Sequence, residues 1–242
     1  MIGISVVMAL SLLACAVAPA GGDDFNARIL AAVRAMPRGG GYDGSDATKN
    51  LLPKACAVEN GRLVIDARQA QPSFCSSATY LVLLQALEGV VPPEALSSLL
   101  PVPDQADGEG VFGRWNANGP GCAKLVADLD AGDNFTDWEA ARPGDMLKIW
   151  WTEAIGNRER GHHVVYLGHD DEVVRFWSSN QPGGYGEKEV PRSKCKRVLF
   201  TRVNRPENFA KASGLPPRDE WLAGMLVREF SWSEVARVCR VR

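Results

Sequence analysis

Three residue types that together can break an amide bond are spread along this chain. A cysteine, Cys75, stands in QPSFCSSATYLVLLQAL. A histidine, His162, stands in RERGHHVVYLGH, and a polar side chain follows at Ser178 or Asn180 in FWSSNQ. A thiol needs a general base to become a nucleophile, and an imidazole needs a partner to fix its orientation. From Ala78 to Leu87 the residues alternate apolar and small at helical spacing, with no Pro or Gly. Pro72 and Ser73 read as the approach and the N-cap. Cys75 then falls in the first helical turn, where free N–H groups and the helix dipole favour a thiolate. A buried or disulfide-bonded cysteine near a helix start is the competing reading.

The chain's three histidines, His162, His163 and His169, lie close together downstream. Strand alternation puts His162, Val164 and Tyr166 on one face and His163 and Val165 on the other. His162 follows Gly161 at the start of a strand, at the rim of a sheet, where a base is reachable. His163 and His169 read as surface or turn residues without chemistry. If His169 and Glu172 close a hairpin, His162 lies opposite about residue 179, and a side chain from 178–180 can orient it. Asn180 suits that role because it bonds imidazole without competing as a charge, and Ser178 is its competitor. Asn180 also precedes Gln181-Pro182-Gly183-Gly184 and reads equally as a turn former. The cysteines lack C-x2-C spacing, and neither a metal nor another cofactor is expected.

The elements that must position these groups follow from the surrounding sequence. Pro143-Gly144-Asp145 signals a turn into the strand MLKIWW; GNRERG is a polar loop; HHVVYLG and VVRFWSS are further strands joined through HDDE. These strands describe an antiparallel meander that curls toward a half-barrel. DDFNARILAAVRAM reads as an amphipathic helix capped near Asp23 or Asp24, and RLVIDA as a short strand. PPEALSSLL begins like a helix. Trp115, Asn116 and Asn118 fall in a Gly-rich loop before a helix near Cys122, and that loop could line a substrate groove. Lys188 to Phe200 suggests another strand pair with a basic, solvated edge at 192–197. PRDEWLAGMLVREF reads as a C-terminal helix with Trp221, Leu222, Met225 and Leu226 toward the core.

The 242 residues carry a net charge of −2 and 45% hydrophobic content, which suits one sizeable soluble domain. That balance gives no reason to expect nucleic acid as a partner, and a monomer is expected. Residues 1–20, MIGISVVMALSLLACAVAPA, resemble a signal peptide cleaved after Ala20, with no membrane span expected beyond it. LLAC at 12–15 offers lipid attachment at Cys15 as the alternative. Either way the mature chain is expected to be secreted or periplasmic. Cys56, Cys75, Cys122, Cys195 and Cys239 are odd in number, so two disulfides and a free Cys75 are expected, with Cys195–Cys239 as the favoured pair.

In order and spacing, FCSSATY, PGDMLKIWW, GHHVVYLG and WSSNQ together resemble the NlpC/P60 and CHAP group of papain-like cysteine peptidases and amidases. The resemblance covers roughly residues 70–182, with about 89–142 as an insertion. It implies an α+β papain-like fold in which a nucleophile helix packs on a central antiparallel sheet or half-barrel. It implies Cys75 as nucleophile and His162 as base, and favours Asn180 as the third residue with Ser178 as the alternative. It also suggests Tyr42, in GGGYDGSD, as a second oxyanion donor beside the Cys75 N–H, where a packed loop aromatic is the other reading. Phe74 stands where the group usually has Asp, and the third residue departs from the second His usual in NlpC/P60. The implied activity is hydrolysis of an amide bond in peptidoglycan stem peptides through an acyl-enzyme. A non-catalytic wall-peptide binding module, or an acyltransferase using the same residues, are the alternatives.

Overall fold

The computed structural model describes residues 24–242; the expected leader, with Cys15, lies outside them. Helix α1 (Phe25–Ala35) begins where the Asp24 carboxylate accepts the Asn26 N–H at 3.2 Å, the cap its sequence predicts. Helix α2 (Cys75–Leu87) has almost no exposed face. A helix that is apolar all round belongs in the interior, and this one lies against α1 on one side and the sheet on another.

The sheet has seven strands: β1 (Gly39–Gly40), β2 (Gly132–Phe135), β3 (Met146–Trp150), β4 (Gly161–His169), β5 (Val173–Asn180), β6 (Gly184–Pro191) and β7 (Arg197–Val203). Their order is β1-β6-β5-β4-β3-β7-β2, with every neighbouring pair antiparallel. The α+β class and the meander therefore stand, with helices packed on an antiparallel sheet. The expected pair between 188 and 200 does not form: β6 pairs with β5, whereas β7 lies between β3 and β2. Composition explains the separation. β7 is buried over most of its length and suits the sheet interior, while Glu187-Lys188-Glu189 of β6 suits a place beside the two-residue strand β1.

Alternation sorts the core into two sides. Met146, Val165, Trp177 and Val203 join the main cluster with α1 and α2. Leu147, Ile149, Val164, Tyr166, Phe176 and Phe200 form a second cluster on the opposite face. The PGD turn is a structural junction. Gly144 has φ +95°, and a Cβ there would stand 2.7 Å from the Asn26 carbonyl oxygen. Asp145 beside it is fully buried, accepts from Asn26 Nδ2 at 2.8 Å, and pairs with Arg202 at 2.7 Å, joining α1 and β7.

Four expectations are corrected. Trp115 is not in a loop but near the end of helix α3 (Gly110–Asn116), and it is only 2% exposed; helix α4 (Gly121–Asp128) follows. The C-terminal segment breaks into Glu220–Ala223, a 3₁₀ turn at Gly224–Leu226, and a separate helix at Trp232–Val238. Leu222 and Met225 are buried, while Leu226 is exposed, because the helix ends before its face can turn inward. Ser73 does not cap α2. Phe74 holds the cap position, and the Ser73 hydroxyl donates to the Phe74 carbonyl at 3.1 Å. Among the described residues no disulfide is present, and Cys56, Cys75, Cys122, Cys195 and Cys239 are free thiols. Cys195 borders the second cluster while Cys239 is buried in a third with Trp150 and Phe230, so the favoured pair is separated by packing.

Candidate active site

The segment before Cys75 is held from both sides. The Ser73 N–H donates to Gly41 O at 3.3 Å, and Ser73 O accepts from the Asp43 N–H at 3.2 Å and from Ser179 Oγ at 2.7 Å. Residues 41–43 and the end of β5 thus fix where α2 starts. Cys75 is the first residue of the helix, where the backbone N–H has no intrahelical acceptor.

The sheet opens at this point. Pairing between β4 and β5 runs as far as Val165↔Trp177 and stops there. Beyond it the His163 carbonyl is taken by Ser178 Oγ at 2.8 Å, and the His163 N–H lies beside the Cys75 sulfur and favours its ionised form. The sulfur therefore sits at the parting of two strands. This lets it reach the imidazole of His162, which belongs to the face opposite His163 and rests edge-on against Phe176 at 5.6 Å. Ser178, fully buried, is occupied in holding this opening and does not touch the imidazole.

Asn180 does touch it: His162 Nε2 lies 3.1 Å from Asn180 Oδ1. The amide's orientation follows from its other contacts. Asn180 Nδ2 donates to the carbonyls of Ser178 (3.1 Å) and Gly186 (2.8 Å), so its oxygen must face the ring. His162 Nε2 then carries the proton, and the remaining ring nitrogen, Nδ1, presents its lone pair to the thiol. The register differs from the expected closure at His169 and Glu172. His169 pairs with Val174, and an irregularity between Tyr166 and Gly168 shifts the strands by one residue. Continued past Val165↔Trp177, this register brings Asn180 rather than Ser179 alongside His162.

Electrostatics single out one thiol. Burial pushes the Cys75 pKa up, but the neighbouring His162 imidazole, the His163 N–H and the Lys148 ammonium outweigh it and bring it from 9.0 to about 7. Burial instead raises Cys56 to about 12, Cys195 to about 11 and Cys239 to about 12, and raises Cys122 as well. Tyr42 is half-buried beside the site. Burial and the neighbouring Cys75 and Asp43 lift its pKa to about 12, so its hydroxyl stays a donor.

The reading of His163 as a surface or turn residue is corrected: it is buried, within strand β4. Its Nδ1 lies 2.8 Å from Thr79 Oγ1, which also accepts the Trp115 Nε1–H at 3.1 Å. The Trp115 indole packs against its ring at 4.9 Å. Burial, then the charges of Lys148 and His162, lower its pKa to about 3, so it is neutral. A histidine adjacent to His162 in an apolar strand is the sign in the sequence that this side chain packs inward. His169 is accounted for by Tyr166, whose hydroxyl it meets through Nδ1.

Two cavities flank the Cys75–His162 pair. The larger, about 620 Å³, lies on the Cys75 side and is lined by Trp115, Asn116, Asn118, Lys148, Glu159 and Arg160, among others. Inside it Lys148 Nζ pairs with the buried Glu159 at 2.6 Å. The smaller, about 310 Å³, lies on the His162 side and includes Tyr42, Phe176, Lys188 and Lys194. Trp151, Gly161 and Gln181 border both. Among the described residues no cluster of His, Cys, Asp and Glu could hold a metal ion, and no helix is long and apolar enough to cross a membrane. The structure thus brings Cys75, His162, Asn180 and Tyr42 together, places Ser178 behind them, and makes Trp115 a wall beneath the larger cavity.

Comparison with protein-family models, with curated proteins and with solved structures gave no match for this chain.

Proposed function

We propose that the chain is a cysteine hydrolase of papain-like, NlpC/P60–CHAP type that cleaves an amide bond, with peptidoglycan stem peptides as the substrate class. The observation that carries this reading is a thiol at a helix start beside an imidazole that favours its ionised form and whose Nε2 is held by Asn180 at 3.1 Å. His162 Nδ1 takes the Cys75 proton, and the thiolate attacks the amide carbonyl carbon. The developing oxyanion meets the Cys75 backbone N–H, with the Tyr42 hydroxyl as a second donor. As the C–N bond breaks, the imidazolium returns its proton to the leaving amine, and a thioester remains. Water then attacks the thioester with Nδ1 again as base, releasing a carboxylate and the thiolate. The expected leader and the sequence resemblance support a cell-wall substrate outside the cytoplasm.

Digestion of purified peptidoglycan, followed by mass spectrometry of the new termini, tests the proposal. Wild type is expected to generate one new class of amine and carboxylate ends, and Cys75→Ala none. Intact peptidoglycan with both proteins, alongside saturable binding of released stem peptides, would instead indicate a wall-peptide binding module.

A further inference from the structure

The charges around the cleft are sorted by strand alternation. β6 carries Glu187-Lys188-Glu189-Val190, and successive side chains point to opposite faces. Lys188 and Val190 face the cavity beside His162. Glu187 lines a separate surface pocket with Arg34 and Arg38, and Glu189 approaches Arg175 at 3.6 Å. The 3₁₀ turn Arg192–Lys194 that follows β6 adds Lys194 to the same cavity.

That 310 Å³ cavity therefore holds two lysines and no acidic residue, although the whole chain carries a net charge of −2. Both lysines are exposed; Lys188 Nζ donates to the Gln181 carbonyl at 3.3 Å, and among the described residues neither lysine has an acidic partner. Phe176, Val190 and Trp151 add apolar surface to the same lining. Such a pocket complements a short apolar group that ends in an anion.

Position decides which half of the substrate this is. In the reaction proposed above, the imidazolium hands its proton to the departing nitrogen, so the amine half occupies the His162 side. We propose that this pocket receives a leaving amine bearing a free carboxylate: an amino acid, or a peptide acid whose carboxylate lies close to the scissile bond. The inference rests on the cysteine-hydrolase reading and names the substrate half that this site selects.

The test compares two small alkylating agents that differ in charge. Iodoacetate and iodoacetamide each displace iodide to place a CH₂ group on the Cys75 sulfur, and only iodoacetate carries a carboxylate. Their rate ratio at Cys75, followed by mass spectrometry on the full chain near neutral pH and low salt, reads the local preference for an anion. Each protein's iodoacetamide rate serves as its own reference for folding and thiol reactivity. The ratio is expected to fall about threefold to tenfold in a Lys188→Gln/Lys194→Gln variant, and to fall in wild type with added salt. It is expected to fall less in Arg160→Gln, which removes a cation from the opposite cavity. A ratio unmoved by the double variant while iodoacetamide still reacts fast overturns the carboxylate pocket and leaves the hydrolase standing. A larger fall in Arg160→Gln overturns it too, by locating the anion on the acyl side. Wild-type Cys75 reacting with iodoacetamide no faster than free cysteine removes the hydrolase reading and this inference with it.

Discussion

The Asn180 amide is held by two carbonyls, and its oxygen accepts a hydrogen bond from the Nε2–H of His162 at 3.1 Å, which selects one neutral tautomer of the imidazole. Replacing Asn180 by Ala leaves the imidazole free to rotate and to change tautomer. Turnover is expected to fall about tenfold to a hundredfold. Ser178→Ala, which breaks the Ser178 Oγ bond to the His163 carbonyl but not the imidazole contact, is expected to act mainly on stability. Steady-state kinetics and thermal unfolding on the two variants separate these effects.

Thr79 Oγ1 is the meeting point of Trp115 Nε1 and His163 Nδ1, both within the core. Thr79→Val keeps the shape and removes both partners. Two buried polar groups lose their hydrogen bonds, and the variant is expected to unfold about 2–4 kcal/mol more easily. Denaturant titration measures this.

Neutral, buried His163 makes the fold acid-sensitive in a predictable direction. Its folded pKa is lowered to about 3, below the 6.5 of the unfolded chain. The unfolded state therefore binds a proton that the folded state refuses between those values, and stability is lost as pH falls below about 6.5. In His163→Asn, which can keep a polar contact to Thr79 without titrating, the dependence of Tm on pH is expected to flatten over this window. An unchanged slope would mean that His163 titrates freely in the folded protein.

Thiol reactivity should single out Cys75. Cys56, Cys122 and Cys239 are buried, and the Cys195 pKa is raised to about 11. Among the described cysteines, one native thiol is expected to react promptly with a disulfide reagent, and none in Cys75→Ala. Non-reducing peptide mapping is expected to find all five unpaired.

Local signals carried much of this arrangement. An uninterrupted apolar stretch marks α2 and puts Cys75 at its start, and Gly161 followed by alternating residues places His162 at a strand's beginning. The strand pattern also distinguishes the faces of His162 and His163. What could not be read is non-local. The irregularity at Tyr166–Gly168 shifts the register by one residue; Gly168, with φ +146°, marks the place, but not the partner that each strand residue then meets. The burial of His163 depends on Trp115 arriving from α3, a segment that resembles a glycine-rich loop in isolation. Cysteine parity suggested disulfides, but Cys195 and Cys239 belong to different packing clusters. The Lys188 to Phe200 segment shows two strands without showing that each pairs elsewhere, because partner choice rests on the burial of the whole sheet.

The central claim is that the imidazole of His162 ionises the thiol of Cys75. The most direct test is the rate of Cys75 alkylation by iodoacetamide as a function of pH, in wild type and in His162→Ala. The wild-type rate is expected to rise through an inflection at about 7. In His162→Ala the inflection should move toward the ordinary thiol range, and the rate below neutrality should drop by about one to two orders of magnitude. Two coincident profiles, both inflecting near pH 9, would contradict the account.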